Sequence, residues 1–219
     1  MTDDGYSAHA LSRNEALRQA ELFASGALGM GGNPVLTLIV SRVAALMQTP
    51  IAAISIVDRD RQWFPAFVGP FVEEMERGAS FCAHAILQPG ETLCVPDAAL
   101  DARFTENRFV IGPPHIRFYA GMPIVNHRGA ALGALCALDP EARPAISPEQ
   151  ERGLRELADE AVREINRIEH LRRYAADAIH HIVPLIRDAA EKDDEDLLLA
   201  LDQVLRRIET ELNNTNAPS

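Results

Sequence analysis

IRFYAGMPIVN (residues 116–126) and ALGALCALD (131–139), joined through the turn HRG (127–129), decide the fold class. Successive side chains of a strand point to opposite faces, so Phe118, Ala120, Met122 and Ile124 share one face while Tyr119 points to the other. The second run alternates in the same way and places Cys136 on the face expected for Leu132 and Ala134. Two alternating runs parted by so short a polar turn read as antiparallel neighbours.

Working outward, the same grammar recurs upstream. IAAISIVD (51–58) is rich in β-branched residues, DRD supplies a turn, and RQWFPAFVG (61–69) returns. Pro65 cannot donate to a ladder, which predicts an edge or a bulge there. FCAHAIL (81–87) reads as a short helix capped by Ser80, and LCVPDA (93–98) as a short strand ending at Asp97, which can cap a turn through DARF. The consecutive prolines of GPPH (112–115) forbid helix before the 116–126 strand. Ahead of the first hairpin, apolar residues at Val35, Leu36, Ile39, Val43 and Leu46 recur at helical steps, with Asn33 as cap and Pro34 at the first helical position. Residues 9–24 suit an amphipathic helix, and GALGMGG (26–32) breaks it. Hairpins combined with flanking helices, rather than a regular strand–helix alternation, make this an α+β domain.

The last third changes character. Ser147-Pro148-Glu149-Gln150 is a helix start with cap, proline and capping-box glutamine in place. Apolar residues then recur at 154, 157, 161, 165, 168, 171, 175, 179, 182 and 186, which favours a helix packed on other helices. DDED (193–196) interrupts it, and its acids suit the start of a final helix through residue 212, with fraying from Asn213. The long apolar seam predicts self-association, a homodimer through 148–213, unless the final helix folds back and covers it.

The 219 residues are 47% hydrophobic and 24% charged, the balance of a globular protein rather than a disordered one. Twenty-one basic against 32 acidic residues leave a net charge of −11, which argues against a nucleic-acid partner. No apolar run approaches the roughly 20 residues of a membrane-spanning helix, and the acidic N-terminus lacks a secretion signal, so a cytoplasmic, membrane-free protein is expected. Cys82, Cys94 and Cys136 form no CxxC pair, consistent with a reducing compartment.

DRDRQWFPAFVG, SFCAHAI, VPDAALDARFTENRFVIGPPHIRFYAGMPI and GAALGALCALD occur in the order that resembles a GAF domain of the kind attached to bacterial sensor histidine kinases and diguanylate cyclases. The resemblance implies an antiparallel sheet of about six strands, with the terminal helices on one face and short helices and loops roofing a pocket on the other. It divides the chain into an N-terminal helix and linker (1–32), a sensory domain (33–165), a helical hairpin or coiled-coil extension for dimerisation (166–213) and a disordered tail (214–219). It leaves the ligand open, because one fold hosts many functions.

Candidate pocket residues are the apolar Trp63, Phe64, Phe81, Phe118, Tyr119 and Met122, with Cys82, His84, Asp97, Arg103 and His115 as polar candidates. By alternation, at most one of Phe118 and Tyr119 can line the pocket, and Arg117 is available to pair with Asp97. Cys82 and His84 stand about 200° apart on a helix, so no metal site is expected. Some GAF-fold proteins reduce free methionine sulfoxide with paired thiols. The resemblance places a nucleophilic cysteine in DARFTENRFV, which has none, so structural cysteines are expected and the reductase is a third reading. Phytochrome-like bilin attachment wants a Cys-His pair, whereas Cys82, Cys94 and Cys136 precede Ala83, Val95 and Ala137. No residue set specifies a cyclic nucleotide, and the cofactor stays unassigned. DAIHHIVPLIRD (177–188) faintly resembles the phosphoacceptor hairpin of histidine kinases, with His180 or His181 as acceptor ahead of Pro184. No acid follows either histidine and no glycine-rich nucleotide-binding segment follows in the sequence, so a phosphorelay component served by another kinase is the second reading. The first is a non-enzymatic sensor whose pocket is coupled to its terminal helices and to a signalling partner.

Overall fold

The computed structural model describes residues 14–70, 72–192 and 194–214. Six strands form one antiparallel sheet: β1 (Ile51–Val57), β2 (Arg61–Val68), β3 (Glu74–Glu76), β4 (Leu93–Val95), β5 (Phe118–Val125) and β6 (Ala131–Asp139), in the order β3-β2-β1-β6-β5-β4. The two hairpins expected from the alternating runs are β1–β2 and β5–β6, and β6 pairs with β1 to join them at the centre. Such long-range pairing needs strands apolar on both faces, and every residue of β1 and β6 is buried.

One face carries helices α1 (Glu15–Ser25), α2 (Pro34–Met47) and α5 (Pro148–Glu191). Leu36, Ile39, Val43 and Met47 of α2 and Leu154, Ala158, Ala161 and Ile165 of α5 pack with Ile54, Phe118, Ala120, Ile124 and Leu135. Each fully buried aliphatic side chain there contributes about 1.5–3 kcal/mol. Asn33 caps α2 through Leu36 N, and Ser147 and Gln150 form the reciprocal capping box of α5. Glu15 anchors α1, accepting from Arg18 (2.7 Å), Arg77 (2.6 Å) and Gln19 (2.8 Å). Arg172 of α5 donates to the carbonyls of Gly26 and Gly29 and so ties the loop after α1 to the long helix. The other sheet face is roofed by α3 (Phe81–Ala85), α4 (Arg108–Ile111) and loops.

Several elements depart from expectation. β3, α4 and two 3-10 turns are too short to carry a periodic signal, whereas Asp97 caps a turn as expected, accepting from Ala99 N, and further turns follow through residue 106. Pro65 falls at a bulge, one of the two places expected for it: Ile54 pairs with Ala66 and Ile56 with Trp63, leaving Phe64 and Pro65 opposite Ser55, while β3 covers β2 only from Arg61 to Trp63. A second bulge corrects the facing of β6. Ile124 pairs with Gly133 and Val125 with Ala131, so Leu132 is the extra residue and turns to the helix face, away from Ala134 and Cys136. The part of the 9–24 helix before residue 14 and the 215–219 tail lie outside the described residues.

α5 runs 44 residues and continues through Pro184 as one helix. Its buried positions include 154, 157, 161, 165, 168, 175 and 182, as the seam predicts. α6 (Glu195–Asn214) folds back on its distal end, where Ile182, Ala189 and Leu201 are buried, and it continues one residue past the Asn213 at which fraying was expected. This partial cover leaves Ile179, Val183 and Leu185 of α5 exposed, with Leu199 and Val204 of α6.

Candidate functional site

Between the roof and the sheet lies an apolar cavity of about 80 Å³. β2 supplies Gln62 and Phe64, β5 supplies Tyr119, and β6 supplies Cys136 and Leu138, all on the face away from α2 and α5. The roof supplies Phe81 and Cys82 from α3, Met75 from β3, Phe109 from α4, and Pro70, Val72, Pro114 and Ile116 from loops. Ser80 caps α3 by accepting from Ala83 N, and this turns Phe81 and Cys82 inward. The Phe81 ring is stacked between Phe104 (4.3 Å between centroids) and Tyr119 (5.2 Å).

The polar end of the cavity is a cluster around Cys82. Its sulfur accepts from the Tyr119 hydroxyl at 3.2 Å and lies 3.7 Å from the Cys136 sulfur, which in turn contacts the Ala53 carbonyl at 3.5 Å. Burial raises the Cys82 pKa, but hydrogen bonding to Cys136, Ser55, Tyr119 and Gln62 outweighs it and leaves this thiol below the ordinary cysteine value. The contact with Cys82, then burial, holds Cys136 well above it. Burial, followed by the neighbouring sulfurs, pushes the Tyr119 phenol well up, so it stays protonated and donates. Gln62 Oε1 is buried with no hydrogen-bond partner, an acceptor left open beside the cavity.

Of the sequence-derived candidates, Phe64, Phe81, Cys82 and Tyr119 line the cavity. Trp63, Phe118 and Met122 do not: they lie on the opposite face with the helices, because alternation fixes relative parity but not which face the helices cover. His84 packs edge-on against Phe104 at 4.9 Å, and burial followed by the Arg103 charge lowers its pKa. Arg103 is exposed and pairs with Asp101, and His115 is exposed in a left-handed turn. Asp97 makes a two-pronged ion pair with Arg117 (2.5 Å each) and accepts from Ala99 N, a structural role outside the cavity. His180 and His181 are exposed on α5, and Nδ1 of His181 lies 2.7 Å from the Asp177 carbonyl. Sequence reasoning missed Gln62, Met75, Phe109, Ile116, Cys136 and Leu138 as cavity residues. The period-two spacing of Gln62 with Phe64 and of Cys136 with Leu138 was the signal available.

A sequence profile of the GAF domain matches residues 33–165. The chain belongs to the GAF domain family. A GAF domain thus occupies most of it, with α1 before and the α5–α6 extension after. The chain is 40% identical over 167 residues to the cyclic di-GMP phosphodiesterase PA2567 of Pseudomonas aeruginosa; the match covers 76% of this chain and 26% of that protein, about a quarter of its length. Among solved structures, the PixJ GAF domain of Thermosynechococcus elongatus in its blue-light absorbing form superposes with a TM-score of 0.54 at 16% identity, covering 68% of this chain and 93% of that one. The GAF domain of an Acinetobacter phosphoenolpyruvate-protein phosphotransferase gives 0.51 at 16%, covering 72% and 95%. At such identities the likeness is one of fold. Among the described residues no helix is long and apolar enough to cross a membrane.

Proposed function

We propose that this GAF domain is a non-enzymatic sensory module that acts as a homodimer, with a ligand in the Cys82 cavity coupled through the sheet to α2 and α5. The observation that carries the reading is the arrangement of β5: Tyr119 faces the cavity while its neighbours Phe118 and Ala120 pack under the helices. A ligand that displaces Tyr119 acts on the same strand that seats the helix base, and its preference for one helix packing over another is the coupling energy. The cavity lining suits a small, mostly apolar molecule with one hydrogen-bond donor for Gln62 Oε1. At about 80 Å³ it is far below the roughly 300–1,000 Å³ of pockets for drug-sized ligands, so a tetrapyrrole or a cyclic dinucleotide would need it rebuilt.

The exposed Ile179 and Val183, one turn apart, are the proposed dimer seam. By the name of its relative, the output of the module is control of cyclic dinucleotide turnover by a signalling partner. Native mass spectrometry of protein purified from its own host reads subunit count and retained small molecule together. A dimer that Val183→Glu converts to a folded monomer is expected; a wild-type monomer at micromolar concentration refutes the dimeric reading. The exposure of His180 and His181 favours phosphotransfer as the second reading, and acid-labile label on α5 after incubation with phosphodonor kinases would establish it.

A further inference from the structure

We propose that Cys82 and Cys136 are a redox-active pair that hydrogen peroxide closes into a reversible disulfide bridging roof and sheet. The sulfurs lie 3.7 Å apart although 54 positions separate the residues in sequence, and both line one cavity. α3 carries the first and β6 the second. Closing to the 2.05 Å of a disulfide asks for about 1.7 Å of approach (3.7 − 2.05), within reach of a side-chain rotation and a small shift of a five-residue helix. The cavity is the oxidant's place: about 80 Å³ exceeds the roughly 30 Å³ that one water occupies in the liquid, and peroxide is little larger than water.

The step balances as follows. The Cys82 sulfur, as thiolate, attacks one peroxide oxygen; the O–O bond breaks, the departing hydroxide takes the proton lost by Cys82, and Cys82 becomes a sulfenic acid. The Cys136 sulfur then attacks the Cys82 sulfur, its proton leaves with the sulfenic hydroxyl as a second water, and the S–S bond forms. Two thiols are oxidised by two electrons and one peroxide is reduced to two waters. Cys82 is suited to the first role because its sulfur accepts from the Tyr119 hydroxyl, a bond that favours the thiolate. Cys94 is an internal control, since it pairs with Ala120 and packs on the helix face of the sheet, away from both. This inference is independent of any ligand or dimer seam.

The test uses the full chain, reduced, desalted and treated with a modest excess of peroxide. Free thiols are then blocked and the protein is cut at arginine and glutamate, which parts Cys82 from Cys94 at Glu91. The expected product is one cross-linked peptide pair joining Cys82 to Cys136, lighter by two hydrogen atoms and abolished by dithiothreitol, with Cys94 recovered blocked. In Cys136→Ala, dimedone should label Cys82. Recovery of Cys82 and Cys136 as blocked thiols, over-oxidation of either without a cross-link, or a bond through Cys94 would each overturn the proposal. The wild-type peptide map decides on its own if the variant does not fold.

Discussion

Gly121→Ala probes the packing that places Tyr119 over the thiol pair. Gly121 sits opposite Cys136 in the ladder and two residues from Tyr119 on the same face. A methyl group built there would meet the Tyr119 hydroxyl at 2.1 Å, Cζ at 2.5 Å and Cε1 at 2.9 Å. Since Tyr119 is fully buried, the ring can yield only into the small cavity it lines, at the cost of its stacking on Phe81 and its bond to Cys82. Overpacking of this kind costs about 1–3 kcal/mol, and losing the hydroxyl bond to Cys82 adds about 1, so Gly121→Ala should lose roughly 2–4 kcal/mol. All three clashing atoms disappear in Tyr119→Leu, which alone costs about 2–4 kcal/mol as a large-to-small change. The double variant should therefore be more stable than the sum of the singles by about 2 kcal/mol or more. Urea unfolding at one fixed protein concentration measures all four corners of the cycle, since self-association would otherwise enter the midpoints. A Gly121→Ala penalty that is the same in both backgrounds refutes the argument.

Gly133→Ala should be worse and unrescued by side-chain changes, because its methyl would meet backbone, the Ser55 carbonyl oxygen at 1.8 Å; a soluble variant with an unchanged urea midpoint would sink this. For Glu15, burial raises the pKa, but hydrogen bonds from Arg18, Arg77 and Gln19 hold it far below the usual 4.5. The folded value is thus the lower one, so its stabilisation is full above the usual value and drains as pH falls below it. Glu15→Gln should cost about 1–3 kcal/mol at pH 7 and converge on wild type in acid, read from urea midpoints across pH. Ser147→Ala removes the N-cap of α5 and should cost about 1 kcal/mol, seen as a drop of a few degrees in thermal melting.

Much of this architecture could be read from local chemistry. The caps Asn33, Ser80 and Ser147 act as their types and neighbours imply, since a cap is decided within four residues. The alternating runs around Phe118 and Cys136 pair as expected, and the Asp97–Arg117 contact forms. The cavity was less legible because it is assembled from distant segments. Met75 and Phe109 sit in pieces too short to show a period, Ile116 precedes the strand that begins at Phe118 and so escapes the parity of its run, and the bulge at Leu132 reverses a facing that strict alternation would assign. Likewise, nothing in the spacing of Cys82 and Cys136 announces that α3 settles onto β6.

The continuity of α5 has a mechanical consequence. Ile168 is buried against the domain, yet the helix goes on to Glu191 without a break. At 1.5 Å per residue, those 23 residues form an arm about 35 Å long. A tilt of about 10° at the pivot would swing the tip by about 6 Å over an arm of that length, more than one helical turn. A shift at the pivot too small to notice would thereby be geared up into a long stroke at the tip of the arm.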